Sequence, residues 1–184
     1  MSDYATLLIA IALVVVWIKP LGRYMAAVYL GRPHPLFRIF QRVELAIYLL
    51  CGVHSEKQMG WKSYGFCVLA LGAFSFVLTL LMLLGQAYLP LNPQGFEGLP
   101  FHTAFNIAAS FLTGTNWQSY HPETQLSYFS QTVGITVQQF LATATGMAIA
   151  ASLCRAMASK QLHGIGNFWV DLVRGLVYII LPFA

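Results

Sequence analysis

Long apolar runs are the feature of this sequence that most constrains its fold. Three runs cover residues 4–18, 64–89 and 126–153, and a fourth begins at Phe168. A helix needs about 20 apolar residues to cross a bilayer, so each run predicts a span, the first if it continues to Leu21. Charged residues make up 9% of the chain and hydrophobic ones 58%, against roughly 25% and 45–50% in soluble domains. We therefore expect an all-α membrane protein with no room for a soluble catalytic domain.

The basic residues are sorted along the chain. Seven of the ten lie between residues 19 and 62, and none lies between residues 64 and 154. The other three are Arg155, Lys160 and Arg174. Because Lys and Arg collect in cytoplasmic loops, segments 19–63 and 155–167 are predicted inside, and the N-terminus and segment 90–125 outside. The net charge of +4 is thereby explained by topology, and a nucleic-acid partner is not expected.

The segment between the second and third runs predicts a pore loop. Proline and glycine exclude a helix over residues 90–100. Residues 101–112 are apolar but too short to cross a bilayer, and a small, polar string follows at residues 113–118. Non-helical backbone at membrane depth is tolerated where it is buried in protein or faces a water-filled cavity. By itself the Thr-Gly-Thr string is also compatible with a surface turn, but its place between two spans favours a pore loop.

The residue types of this string suit a potassium ion. Potassium filters replace the hydration shell of the ion with backbone carbonyls, and Gly114 permits backbone angles that aim successive carbonyls at one axis. The hydroxyls of Thr113 and Thr115 can add ligand oxygens or brace the turn. A helix that ends at Leu112 also directs the negative end of its dipole towards a cation. No carboxylate occurs over residues 98–122, so selection by an acidic ring is not expected.

An amphipathic stretch at residues 36–50 carries Arg38 and Arg42 one helical turn apart. Two interpretations stay open for it. The stretch either lies on anionic lipid as an interfacial helix, or packs on protein with arginines that only enforce topology.

Polar residues within the apolar runs predict specific contacts. Gln131, Gln138 and Gln139 in the third run are expected to face protein or a cavity, because lipid exposure of an amide is costly. In the fourth run, Asp171 and Arg174 lie three residues apart. This spacing predicts a local ion pair on one helix face.

Several strings of the chain resemble one protein family. The strings are Leu-Asn-Pro-Gln-Gly at residues 91–95, Thr-Asn-Trp-Gln-Ser-Tyr at 115–120, Leu-Ser-Tyr-Phe-Ser-Gln at 126–131 and Gly-Asn-Phe-Trp-Val-Asp-Leu at 166–172. They resemble the A subunit of the Kdp potassium-transporting ATPase, the ion-binding subunit of that bacterial pump. The resemblance identifies Thr113, Gly114, Thr115 and Asn116 as the first of four selectivity-filter segments. It makes Gln118 a position just beyond the filter that affects selectivity.

Gly114 departs from the family pattern, in which asparagine is expected at this position. The departure makes the loop more similar to that of simple potassium channels. It puts in doubt any bracing of the filter by a side chain at residue 114.

The resemblance also implies the domain organisation. Members have four fused span–pore loop–span repeats of potassium-channel-like type and an extra N-terminal helix. Residues 1–21 would be the extra transmembrane helix, 22–63 a cytoplasmic amphipathic segment, 64–154 the first repeat, and 155–184 a cytoplasmic linker with the start of a second repeat. Because the fourth run stops at residue 184 without a basic anchor, we expect a truncated chain that does not conduct by itself.

The chain is not expected to be an enzyme by itself. It contains neither a phosphate-binding G-x-x-x-x-G-K-[ST] string nor the Asp-Lys-Thr-Gly phosphorylation string of P-type ATPases. The resemblance implies that the B subunit of the pump, a P-type ATPase, hydrolyses ATP and that the small C and F subunits complete the complex. It also implies a multi-pass protein in the bacterial plasma (inner) membrane, with its N-terminus extracytoplasmic and lipid as a further partner.

The expected function is that of a potassium-binding and translocating subunit of an ATP-driven, high-affinity uptake complex. Potassium, the transported substrate, would enter from the extracytoplasmic side through the selectivity filter. One alternative is a subunit of a Trk- or Ktr-like potassium transporter, which shares the pore-loop repeat without ATP drive. Another is a truncated, non-conducting membrane protein that only binds a partner.

Overall fold

The computed structural model describes residues 3–158 and 164–184. Within these ranges the chain forms helices and turns and no strand. The helices are α1 (Asp3–Tyr29), α2 (Phe37–Cys51), α3 (Trp61–Leu84), α4 (Phe101–Leu112), α5 (Pro122–Gln125), α6 (Val137–Ala158), α7 (Phe168–Arg174) and α8 (Leu181–Phe183). A 3₁₀ turn covers Gln86–Tyr88, and π-helical stretches cover Ser130–Thr136 and Gly175–Ile180. Lys160, predicted on the inside, lies outside the described residues.

Three helical stretches of the described chain are long and apolar enough to cross a membrane. They are Tyr4–Tyr29, Trp61–Leu84 and Ser130–Ala158, with mean hydropathies of 2.2, 2.6 and 1.4. Each one overlaps an apolar run of the sequence. The predicted all-α architecture with three complete spans is confirmed at this level.

The first helix is longer than its apolar run predicts. The run ends at residue 18, but α1 continues through Pro20 to Tyr29. Two interactions explain why the helix continues beyond residue 18. Val28 is buried, and the Tyr24 hydroxyl donates a hydrogen bond to the Tyr178 carbonyl. Packing beyond the proline therefore extends the helix past the end of the apolar pattern.

The chain divides into two compact units. One comprises the described residues up to Val53 together with Val173–Ala184, and the other the described residues of His54–Leu172. In the first unit, α2 packs against the stretch Gly175–Ile180. In the second unit, α4 packs closely on α3 around one apolar core. This core consists of Leu83, Leu99, Ala104, Ile107, Phe111, Tyr120 and Leu126.

The local ion pair predicted between Asp171 and Arg174 is wrong. Within the second unit, the Arg155 guanidinium pairs with both carboxylate oxygens of Asp171, at 3.0 Å from Nη1 to Oδ1, and the Tyr64 hydroxyl donates to Oδ2 at 3.0 Å. Within the first unit, Arg174 Nε donates to Glu44 Oε1 at 2.9 Å. A buried carboxylate needs several donors at once. Residues distant in sequence supply these donors, which the spacing within one helix could not show.

Candidate functional site

The end of α4 sets the path of the predicted filter string. The helix has the predicted bounds, Phe101–Leu112. Gly114, with a left-handed φ of 69°, donates its N–H to the Phe111 carbonyl at 3.2 Å, and the Thr115 N–H reaches the Ser110 carbonyl at 3.0 Å. These two bonds form a Schellman motif, which ends a helix at a left-handed residue. The string 113–118 therefore leaves the helix in a defined direction.

Gly114 suits this turn because its backbone can adopt a positive φ. It is not required for lack of space around a side chain. A Cβ atom built at Gly114 would meet nothing within 4 Å. Asparagine is the other residue that ends helices in this way, because its side chain tolerates the left-handed region. Gly114 and the asparagine expected in the family pattern thus meet the same backbone requirement. The departure at residue 114 therefore keeps the turn.

Ser110 fastens the string to α4. Its buried hydroxyl accepts a hydrogen bond from the Trp117 N–H at 2.5 Å and lies 3.2 Å from the Trp117 carbonyl, to which it donates. Two residues further on, the Ser119 hydroxyl donates to Asn106 Oδ1 at 3.1 Å. The string is therefore held on α4 at both of its ends.

The threonine hydroxyls brace the turn. Thr113 Oγ1 lies 3.0 Å from the Ala109 carbonyl and 2.8 Å from Thr115 Oγ1. Two roles were predicted for these hydroxyls, and the bracing role is the one that these contacts show.

Residues 113–116 present backbone oxygens without a partner in the described chain. All four residues are exposed, and no described residue donates a hydrogen bond to their carbonyl oxygens. Gly114 and Asn116 both have positive φ, 69° and 54°. Neutral carbonyl oxygens of this kind can replace water around a cation. Within the described ranges, no group of three or more His, Cys, Asp or Glu residues could hold a metal ion.

A cavity of about 240 Å³ adjoins the far half of the string. Asn116 and Gln118 line it together with Gln131 and Gln139 of the third span. Thr113 instead lines a second cavity, to which Gln138 also contributes. The structure thus brings two of the five predicted site residues into one polar cavity.

The glutamines of the third span confirm the prediction that they face protein or a cavity. Gln131 Nε2 donates to the carbonyls of Pro122 and Leu126 at 3.2 and 3.0 Å. Gln138 is buried and donates to Ser75 Oγ at 3.2 Å, which joins the second and third spans.

Gln86 is the residue near the site that sequence reasoning missed. It is fully buried, and its Nε2 donates to the carbonyls of Glu97 at 2.6 Å and Gln125 at 2.8 Å. Its Oε1 accepts from the Ser127 N–H at 3.1 Å and the Ser130 hydroxyl at 3.2 Å. Gln86 therefore joins the loop before α4 to the start of the third span. Its signal was an amide within an apolar run, as for the other glutamines.

Comparison with known proteins gives one consistent family. The family model described as "Potassium-transporting ATPase A subunit" matches residues 8–184. The chain is 46% identical to the potassium-transporting ATPase potassium-binding subunit of Beijerinckia indica over 90% of this chain and 29% of the relative. It is 47% identical to the subunit of that name from Listeria monocytogenes over 95% of this chain and 31% of the relative. For the Pseudomonas syringae subunit, the identity is 41% over 99% of this chain and 32% of the relative.

These relatives are considerably longer than the chain. The matched part covers 29% to 32% of their length. The chain therefore spans about three tenths of the curated relatives it matches.

Proposed function

The chain belongs to the potassium-transporting ATPase A subunit family, and from this premise we propose that residues 113–118 form one side of a potassium-selective filter. The observation that carries the proposal is the end of α4. There, the turn at Gly114 and the bonds from Ser110 support a string whose carbonyl oxygens are open. In this proposal Thr113, Gly114, Thr115 and Asn116 offer backbone oxygens, and Gln118 affects selectivity from the adjoining cavity.

Two physical effects would favour a dehydrated potassium ion at this string. Carbonyl oxygens replace the water ligands of the ion without adding a fixed negative charge. The C-terminal end of α4 also precedes the string, so the negative end of the helix dipole is directed at it. Both effects act through neutral groups, consistent with the lack of carboxylates over residues 98–122.

We propose that the chain acts as the potassium-binding and translocating subunit of an ATP-driven, high-affinity uptake complex. The names of the relatives support potassium binding within an ATPase. ATP hydrolysis is assigned to the B subunit of such a pump, a P-type ATPase, and the small C and F subunits are the further proposed partners. Potassium would enter from the extracytoplasmic side of the bacterial plasma (inner) membrane.

The proposed topology follows the charge sorting. The stretch without Lys or Arg, residues 64–154, contains α4 and its flanking loops. An extracytoplasmic N-terminus and a span–pore loop–span repeat over this stretch agree with the positive-inside rule. The divisions 1–21, 22–63 and 155–184 likewise stay predictions.

Family membership favours this function over a Trk- or Ktr-like transporter. The other alternative is a non-conducting protein that only binds a partner. The potassium-binding experiment described next distinguishes it from the proposed function.

The test is potassium binding by the protein assembled with its proposed partner subunits, in which Gly114→Asp is compared with Gly114→Asn. Both substitutions tolerate the left-handed turn, but only aspartate adds a charge beside the carbonyl oxygens. A fixed charge attracts all small cations, so the preference for potassium over sodium should fall on the order of tenfold, about 1.4 kcal/mol. Gly114→Asn should keep the preference.

Two results would contradict the proposal at different points. Equal discrimination in Gly114→Asp and the unaltered protein would remove residues 113–118 from the filter. No potassium binding by the unaltered assembled protein would favour the non-conducting alternative.

A further inference from the structure

The two faces of α2 carry different chemistry in the structure. The buried face presents Glu44, 4% exposed, and Tyr48. Glu44 accepts hydrogen bonds from Arg174 Nε at 2.9 Å, the Tyr48 hydroxyl at 2.7 Å and the Tyr178 hydroxyl at 2.6 Å. α2 thus packs on protein along one side, as one of the two interpretations of its sequence predicted.

This packing buries the negative charge of α2, which Glu44 carries, so that the charge is absent from the exposed surface of the helix. Burial by itself would raise the pKa of the Glu44 carboxyl, but the three donors outweigh burial and hold the pKa below its ordinary value of 4.5. Glu44 is therefore ionised at neutral pH and matched by Arg174. It is also the only carboxylate of residues 4–55, so it leaves the outer face of α2 without an acid.

The outer face of α2 combines arginines with exposed apolar side chains. Arg38 and Arg42 are exposed. Around them, Ile39 is 65% exposed, and Leu49 and Leu50 are each 85% exposed. Large apolar side chains beside arginines are typical of helices that lie in the interface of a membrane.

We propose that this outer face binds the anionic headgroups of phospholipids at the membrane surface, with its leucines inserted among the acyl chains. The proposal is independent of the filter. Position supports lipid, because α2 begins eight residues after the end of α1, which has the length and composition of a span. Charge supports an anionic headgroup, because the outer face carries two arginines and no acid. In this proposal α2 packs on protein with its buried face, and its outer face lies on lipid with arginines that do more than enforce topology.

The probe is a tryptophan on the outer face, introduced as Leu49→Trp in the full chain. The parent protein has four tryptophans of its own. The signal of the introduced tryptophan is therefore obtained by subtracting the fluorescence of the parent protein from that of the variant. The protein is placed in phosphatidylcholine vesicles that contain either brominated phosphatidylglycerol or brominated phosphatidylcholine. Bromine quenches a tryptophan on contact, so the ratio of the two quenching constants gives the preference for the anionic lipid.

We expect quenching by both lipids and a clear preference for phosphatidylglycerol. A basic residue near an anionic surface contributes roughly a fivefold change in binding. Arg38→Gln with Arg42→Gln should therefore bring the ratio close to one, and high salt should do the same. Arg38→Lys with Arg42→Lys should retain most of the preference, which separates charge from structure. The matched control, Lys57→Gln with Lys62→Gln, removes two exposed basic residues outside α2 and should leave the ratio unchanged.

Two results would overturn the proposal. A tryptophan at residue 49 that no brominated lipid quenches would mean that protein covers the outer face. Equal quenching by both lipids, unchanged by the glutamine substitutions, would mean contact with lipid without recognition of the anionic headgroup.

Discussion

Asp171 and the string 113–118 both belong to the second unit and use opposite chemistry. Asp171 is 2% exposed, forms an ion pair with the Arg155 guanidinium, and accepts a hydrogen bond from the Tyr64 hydroxyl. The string is exposed and neutral, and described residues leave the carbonyl oxygens of residues 113–116 open. This unit therefore uses full charges to close its structure. The groups proposed to contact an ion are neutral backbone carbonyls, which act through their dipoles.

The first unit repeats the enclosed arrangement with Glu44. An arginine and two tyrosine hydroxyls surround this carboxylate, as an arginine and one hydroxyl surround Asp171. In both places the arginine that matches the charge comes from another helix. A structural role for charge is therefore common to the two units.

The largest effect should come from breaking the enclosed pair in the second unit. Arg155→Met leaves Asp171 buried without its main partner, which typically destabilises a protein by about 3–5 kcal/mol. It also removes the bond from Arg155 Nε to the Ile165 carbonyl, 2.9 Å long. The measurement is the free energy of unfolding in detergent. In the control, Arg155→Met is combined with Asp171→Asn, which removes both charges and should recover much of the loss. A single variant as stable as the parent would mean that the pair does not hold the unit together.

A smaller effect on stability should follow from loosening the neutral string. Ser110→Ala removes the partner of the Trp117 N–H, and because Trp117 is exposed the loss of this hydrogen bond should cost about 0.5–1.5 kcal/mol. Expressed as free energies, the loss of discrimination between potassium and sodium should be larger than the loss of stability, because Ser110 holds the proposed filter string on α4. The measurements are unfolding in detergent and cation binding by the assembled protein.

A control and a contrary outcome complete the Ser110 experiment. Ser63→Ala changes an exposed serine at the start of α3 and should alter neither property. If Ser110→Ala lowered stability while discrimination stayed intact, Ser110 would support the fold only.

The smallest effect concerns pH and His34, which lies in the first unit between α1 and α2. Its ring packs edge-on against Tyr178 and Tyr24, with centroids 4.7 and 5.5 Å apart. Burial lowers the pKa of His34 below its ordinary value of 6.5, and Arg174 lowers it further, while Glu44 acts in the opposite direction. The unfolded chain then binds more protons than the folded one, so stability should decline as the pH falls through 6.5.

Thermal denaturation from pH 8 to about pH 5 measures this decline. His34→Phe keeps an aromatic ring in place and should reduce the pH dependence. The control His54→Phe changes an exposed histidine and should leave it unaltered. Identical pH profiles for His34→Phe and the parent would exclude His34 as the source.

Much of the fold could be predicted from local patterns. Run length and breaking residues predicted α4 from residue 101 to 112, because proline at its start and small polar residues at its end act within one helical turn. The position of α2 followed likewise from its spacing of apolar residues. The end of α1 at Tyr29 could not be predicted, because packing of Val28 and Tyr24 decides it.

The candidate site could be proposed from the sequence as a string, but its contacts could not. Thr113, Gly114, Thr115, Asn116 and Gln118 were predicted as filter residues because they are consecutive or nearly so. The anchor at Ser110 depends on how the chain turns back beside α4. The role of Gln86 depends on the loop before α4 and the end of α5, which contribute the carbonyls of Glu97 and Gln125, 28 residues apart.

Local patterns were enough to establish the class of the protein, its helical segments and its family. Hydrophobic runs and short strings involve only neighbouring residues, so they can be recognised in the linear sequence. Which charges meet depends on tertiary packing. Asp171 and Arg174 share a helix turn, yet each pairs with a residue from a distant part of the chain. The physical reason is desolvation, since a buried carboxylate is stable only where several donors converge. Such convergence is a property of packing, which spacing along one helix does not contain.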